Sequence, residues 1–287
     1  MYYGLIILSV VMFGGGFAFN NGYRKIRGSS IKISLQFSLI GGLAGLLILL
    51  LLNGFRLEFT PFTLLMALLS TANSLVLTYF GFKALDKINL SLYSVFMMLG
   101  GMLLPFLQGL IFYGEDMTLA KGACLALILA ALLLTFERGE RRRGTVYYVI
   151  VFLLNGMAGV LSKLFTSAPY EKASAAGYSI LSGICSIVIC LLLLLIFFRK
   201  RDGTPKIGLP DTGLCIGSCA LNRVANYILL IALLHVETSV QYPMVTGGTM
   251  IVSTLICFFG KNRPKKRELL SVALAFLAML SLFIIPI

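Results

Sequence analysis

Charge is what this sequence has least of: 12% of its 287 residues are charged, against 59% that are hydrophobic. A soluble domain keeps about a quarter of its residues charged, because its surface must face water. With half that share, nearly every helix would have to be buried on all sides, so a soluble globular domain is excluded. Acid is scarcer still. All 11 acidic residues (Glu58, Asp86, Glu115, Asp116, Glu137, Glu140, Glu171, Asp202, Asp211, Glu237 and Glu268) fall in loops or at the edges of apolar blocks. An exporter of hydrophobic cations driven by protons needs a buried carboxylate to bind proton and cation in turn, and the sequence offers none. The sole histidine, His235, stands beside a turn with Glu237 and reads as interfacial, with pH sensing as the lesser reading. HExxH, GxSxG and Walker patterns are missing, so no enzyme is expected. Nor is there the repeated polar filter of an ion channel.

What the chain does have is long apolar blocks, each about 18 to 24 residues, the length that crosses a hydrocarbon core of roughly 30 Å. Ten can be marked, at 2–19, 33–53, 61–82, 91–112, 118–136, 146–165, 175–198, 212–234, 239–259 and 268–286. In lipid each block must satisfy its own backbone polar groups, which predicts helices throughout. The first block has no basic stretch before it and reads as a retained helix rather than a signal peptide. The expectation is an all-α, multi-pass integral membrane protein of the cell inner (plasma) membrane.

The net charge of +13 could suggest nucleic acid, but most of the charges sit in short loops. Loops after odd-numbered blocks carry 19 basic residues, from Arg24, Lys25, Arg27 and Lys32 through Lys83 and Lys87 to Lys265, Lys266 and Arg267; loops after even-numbered blocks carry three, Arg56, Lys121 and Lys172. The bias places the odd loops in the cytoplasm and both termini outside. No nucleic-acid partner is expected. The six cysteines lie in apolar blocks; Cys215 and Cys219, four apart, could in spacing hold a metal, but with only Asp211 nearby they read as packing residues, and no metal is expected.

The two halves echo each other. ANSLVLTYFGFKALDKINLSLYSVFMMLGG near 72–101 and ANYILLIALLHVETSVQYPMVTGG near 225–248 share Ala-Asn within one helix, a polar turn, a tyrosine early in the next helix and paired glycines. Five helices separate the copies, so they insert with opposite orientation. This predicts an inverted repeat of two five-helix halves, 1–140 and 141–287. The pairs Gly100–Gly101 and Gly247–Gly248 would let helices close tightly.

Polar residues inside the blocks are the candidate substrate ligands. Arg223 sits near the centre of its block, where a cation must face a bundle interior or a polar cavity. It is either a structural arginine held by carbonyls or Asn side chains, or a fixed charge that meets an anionic substrate. Asn222 and Asn226, four apart, share a face beside it. Asn73 and Asn155 lie mid-helix, with Tyr79 beyond Asn73; Tyr93, Gln241 and Tyr242 begin their helices. Lys163 follows Asn155 by two turns and either snorkels to an interface or binds substrate.

The stretch LSLYSVFMMLGGMLLPFLQGLIFYGEDMTLAKGACLALILAALLLTF, 90–136, resembles the drug/metabolite transporter (DMT) superfamily in its EamA-like ten-helix branch, with Gly114-Glu115 and then Gly122 as its turn and small-residue helix. The second-half counterpart, 241–280, keeps Pro243 and Gly260 but has Lys261 in place of the Glu. The resemblance implies ten helices, a cavity between helices 1, 3, 4, 6, 8 and 9, and export or facilitated passage of amino acids and other metabolites. Cation-exporting relatives carry a Glu in helix one where this chain has Gly14, Gly15 and Gly16, which speaks against cationic drug export. Together these readings predict a secondary transporter of a small polar metabolite, an amino acid or organic anion, by alternating access. The other readings are a lipid-carrier flippase subunit or other non-carrier membrane protein, and a small-molecule drug exporter. No cofactor is expected, though a proton or sodium gradient could drive the carrier; the partners expected are the metabolite and membrane lipids, in a monomer or homodimer.

Overall fold

The computed structural model describes residues 2–86, 90–114, 116–135, 142–197, 208–259 and 266–284. Lys87, Glu115, Arg138, Arg141 and the charges within 198–207 and 260–265 lie outside the described residues, as do the side chains of Ser91, Ser94 and Pro243. The described residues form ten helices and no strand: α1 Tyr2–Arg27, α2 Ile31–Leu52, α3 Pro61–Leu85, α4 Leu90–Phe112, α5 Leu119–Thr135, α6 Arg142–Ser167, α7 Ala175–Phe197, α8 Leu209–Ala232, α9 Thr238–Phe259 and α10 Lys266–Ile284. Six of them, α1, α2, α3, α6, α7 and α8, are long and apolar enough to cross a membrane. Large apolar side chains such as Leu51, Leu65, Leu195 and Leu209 point outward, as suits a multi-pass membrane protein.

Local chemistry sets the helix ends. Ser30 starts α2 by accepting a hydrogen bond from the Ile33 N–H, and Thr60 does the same for Thr63 ahead of Pro61 at the first turn of α3. Gly28, at φ 90°, supplies the left-handed residue that ends α1. The α1 helix runs about two turns beyond its expected end at 19, through Asn20, Asn21 and Arg24 to Arg27. Arg24 and Arg27 find partners beyond α1, in Asp86 and in Asp211 and Gln36, so the apolar block marks only part of the element.

Neither half builds a core of its own. In the first half α1 packs on α8 and α9, α2 on α7 and α8, α3 on α6 and α7, α4 on α6 and α9, and α5 on α10. Exchanging every helix for the one five places along leaves these main pairings unchanged. The exposed stripes give the register of the exchange. The exposed residues 61, 65 and 68 of α3 align with the exposed 209, 213 and 216 of α8 at a shift of 148. Residues 4, 7 and 11 of α1 fall on 146, 149 and 153 of α6 at a shift of 142, and residues 47 and 51 of α2 on 188 and 192 of α7 at 141. The Ala-Asn echo of the sequence needs a shift of 153, five residues from the one the exposed stripes favour. Five residues turn a helix through about 140°, so Asn73 and Asn226 face different neighbours.

Contacts between helix ends sort into two sets. Arg24–Asp86 and Arg27–Asp211 join ends that follow or precede the basic loops. Glu58 with the Ser174 N–H, Lys121 with Glu237, and the Tyr2–His235 stack join the opposite ends. Each of these contacts joins ends on one side of the bundle, as expected for helices that alternate in direction.

Candidate functional site

Two aromatic plugs close the bundle, one near each end. At the basic end Tyr23 of α1, Phe37 of α2, Phe82 of α3 and Cys215 of α8 form one buried cluster, with ring centroids 5.0 Å apart for Tyr23–Phe37 and 5.3 Å for Phe37–Phe82. At the far end Met66 of α3, Phe165 of α6, Tyr178 of α7, Leu230 of α8 and Tyr242 of α9 form another, with Phe165 stacked on Tyr178 at 4.3 Å. The shifts of 142, 141 and 148 carry Tyr23, Phe37 and Phe82 onto Phe165, Tyr178 and Leu230. The same shifts thus align residues of one plug with residues of the other.

Between them α3 and α8 carry small polar side chains. Ser70, Ser74 and Thr78 run along the side of α3 opposite its outward stripe, and Ser74 is exposed there. Its position is eight residues from both Met66 and Phe82, roughly 12 Å from each plug at 1.5 Å per residue. The shift of 148 places Ser74 opposite Asn222 and Thr78 opposite Asn226. These side chains lean on their own helices: Thr78 donates to the Ser74 carbonyl at 2.8 Å, Asn222 to Ser218 at 2.7 Å and Asn226 to Asn222 at 2.7 Å. Local bonds of this kind leave their remaining lone pairs for another partner.

Arg223 lies eight residues beyond Cys215 and seven before Leu230, at the same depth as Ser74. It points away from Asn222. A Cβ at Gly45 of α2 would sit 2.6 Å from Arg223 Cγ, whereas a Cβ at Gly16 of α1 would sit 2.3 Å from Asn222 Nδ2. The guanidinium is within electrostatic reach of Tyr178 and Cys190 of α7 and Cys219 on its own helix. Among the described residues no hydrogen bond or ion pair holds it. Tyr178 shares its hydroxyl hydrogen bond with Ser70 of α3, so one residue belongs both to the far plug and to the surroundings of Arg223.

The remaining sequence candidates fall apart into distinct roles. Asn73 Nδ2 donates to the Leu154 carbonyl at 2.9 Å and Asn155 Nδ2 to the Met97 carbonyl at 2.6 Å, tying α3 and α4 to consecutive residues of α6. Tyr242 is buried in the far plug and donates to the Gly159 carbonyl at 3.0 Å. Gln241 is wholly buried, with Nε2 on the Leu229 carbonyl at 2.9 Å. Tyr93 packs on Phe17, its hydroxyl 2.8 Å from where a Cβ at Gly81 would be. Lys163 lies over the Tyr113 ring at 5.1 Å. Tyr79 follows Ala72 and Val76 on the outward stripe of α3, with Lys83 6.0 Å from its ring. Sequence reasoning missed Ser70, Ser74, Thr78 and Tyr178. The first three repeat every four residues, a small-polar stripe visible in the sequence, but Tyr178 is marked only by its partner.

No family model matches the chain, and no curated protein matches it. A solved structure known simply as the crystal structure of a protein is similar over 96% of this chain and 94% of its own, with a TM-score of 0.65 and 17% identity. At that identity the likeness is one of fold.

Proposed function

We propose that the protein is a secondary transporter of a small anionic metabolite, an amino acid or organic acid, working by alternating access between the two plugs. The observation that carries the reading is the equivalence of Tyr23, Phe37 and Phe82 with Phe165, Tyr178 and Leu230, with an unpaired Arg223 midway between the sets. The same exchange of helices supports a reading of ten spans arranged as an inverted repeat, and the EamA-like resemblance points the same way. The basic end is the cytoplasmic one, both termini lie outside, and the membrane is the cell inner membrane. In the cycle one plug parts while its counterpart stays shut. The substrate's carboxylate pairs with Arg223, with Tyr178 and Ser70 as neutral donors, and Ser74, Asn222 and Asn226 take its polar groups. Because Tyr178 is both ligand neighbour and plug, an anion on Arg223 competes for the hydroxyl that ties Tyr178 to Ser70 and so loosens the far end.

Uptake and counterflow of labelled amino acids and organic anions into proteoliposomes test this, with wild type beside Arg223→Met. A charge-assisted hydrogen bond is worth about 1.5–3 kcal/mol, so saturable exchange should weaken by roughly ten- to a hundredfold while the protein remains folded. Loss of folded protein in the variant, or anion exchange unchanged by it, overturns the role given to Arg223.

A further inference from the structure

The small polar side chains of α3 and α8 match each other in position, and the place where the two helices differ is charged. At the shift of 148, Ser70, Ser74 and Thr78 of α3 align with Ser218, Asn222 and Asn226 of α8, whereas Arg223 aligns with Leu75. Each half thus offers neutral groups one helical turn apart, and the second half adds a cation.

That cation meets no opposite charge between the plugs. Residues 2–22 of α1, 38–52 of α2, 67–81 of α3, 146–162 of α6, 179–197 of α7 and 216–229 of α8, with all of α4 and α9, contain one charged side chain, Arg223. Carboxylates with partners stand at the helix ends instead: Asp86 with Arg24 and Ser29, Asp211 with Arg27, Glu58 with the Ser174 N–H and Glu237 with Lys121. Lys163, two residues from Phe165 of the far plug, lies over the Tyr113 ring. A guanidinium is not deprotonated in a protein, so the empty space between the plugs carries one positive charge.

The neutral neighbours are set to accept. Asn222 and Asn226 each bring Nδ2 to 2.7 Å from a carbonyl of α8. A carbonyl only accepts, so the amide nitrogen faces it and Oδ1 is left to accept from another donor. Asn226, which is exposed, follows Arg223 by three residues, about 60° around the helix and roughly 4.5 Å along it. A group paired with Arg223 therefore has a free acceptor within the reach of a small molecule.

We infer that the substrate is a singly charged hydroxy acid and that zwitterionic amino acids are rejected. The inference rests on the transporter reading and narrows it. A hydroxy acid places its carboxylate on Arg223 and donates its hydroxyl to an Asn Oδ1, and the closed space becomes neutral. An amino acid brings the same carboxylate with an ammonium, so one positive charge remains; a dicarboxylate leaves one negative charge. Charge left unpaired away from water is costly, and like charges repel more strongly there than in water. Hydroxyl and ammonium are similar in size and both donate, so shape does not separate them. Selectivity is a difference of affinities, often set by a repulsive element. Here that element is the charge of Arg223, which an ammonium cannot neutralise.

Counterflow into proteoliposomes holding the full chain is measured at neutral pH with labelled pairs that differ in this one group: glycolate and glycine, lactate and alanine, glycerate and serine. Labelled malate is the doubly charged probe. At least one hydroxy acid should exchange roughly tenfold faster than its amino partner and than malate. Asn226→Asp sets a carboxylate one turn from Arg223 and makes the empty space neutral, so the preference should turn to the amino acid of the same pair. Arg223→Gln should bring the ratio within a pair towards one, and Arg223→Lys should keep it. Amino acids exchanging as fast as hydroxy acids in the wild type, malate outpacing both, or wild-type preference retained in Asn226→Asp overturns the substrate class and leaves the carrier standing. No exchange of any of these compounds by folded protein removes the carrier reading itself, and the inference with it.

Discussion

Alanine at Gly100 probes the seam on which the bundle's central helices close. A Cβ there would sit 2.0 Å from the Phe152 carbonyl oxygen and 2.6 Å from its carbon, and a Cβ at Gly156 would sit 2.6 Å from the Gly100 oxygen. The obstacle is backbone, so no change of rotamer relieves it. Helices α4 and α6 must part until carbon and oxygen reach about 3.5 Å, the separation of ordinary contact. Overpacking costs about 1–3 kcal/mol, and a rigid neighbour places this case at the upper end. Alanine recovers about 1 kcal/mol of helix propensity, leaving a net loss of about 2 kcal/mol. For a chain of this size that lowers the melting midpoint by about 4–8 °C. Separation also stretches the Asn155–Met97 hydrogen bond, which crosses the same seam at 2.6 Å. Thermal melting followed by size-exclusion chromatography in detergent reads the effect. Gly122→Ala is the control, because its Cβ meets nothing within 4 Å, and its midpoint should hold or rise. If Gly100→Ala melts with the wild type, the close approach of α4 and α6 is refuted.

Two further substitutions separate structural from functional roles. Asn155→Ala should remove about 0.6 kcal/mol, the typical worth of a polar tie between membrane helices, and lower the melting midpoint while leaving the substrate KM unchanged; a raised KM at constant stability would make Asn155 a substrate ligand instead. Glu58, in the loop before α3, is held below its ordinary pKa of 4.5 by the Ser174 N–H and hydroxyl. A depressed carboxylate contributes stability above its unfolded pKa and loses it as pH falls through the folded value. Glu58→Gln should therefore melt slightly below wild type at neutral pH, the difference closing as pH drops below about 4; a gap that widens on acidification contradicts the arrangement.

Helix number and placement were legible because lipid demands long apolar runs, and their ends agree with the structure within a few residues except at α1. The exception is physical: Asn20, Asn21 and Arg24 look like a loop by composition, yet Arg24 reaches Asp86 at 2.7 Å and Asn21 at 3.2 Å, so the helix continues. The register of the proposed repetition was not legible. The matching letters Ala-Asn suggested one alignment, while exposure, which decides which face meets lipid, selects another five residues away. The same rotation separates Asn73, tied to α6, from Asn226 in the interior. Asp211 was read as a loop-edge residue because it stands at the end of an apolar block; its burial depends on Arg27, nearly 200 residues away in sequence.

The case for Arg223 as a ligand turns on which hydrogen bonds its neighbours make. A structural arginine in a membrane bundle draws carbonyls or amide oxygens onto its five N–H donors, because leaving it bare costs several kcal/mol. Here Asn222 and Asn226 are the nearest amides on its own helix, and both are committed as donors to α8 carbonyls. Gly45 clears a path for the stem along α2, so the side chain is accommodated by shape without being satisfied in charge. A half-buried charge with no hydrogen bond or ion pair among the described residues, midway between the two plugs, is an arrangement that gains stability when an anion arrives. That gain is the binding energy a carrier can apply to moving one plug. A flippase subunit or scaffold would have no use for it, which is why the carrier reading stands ahead of both.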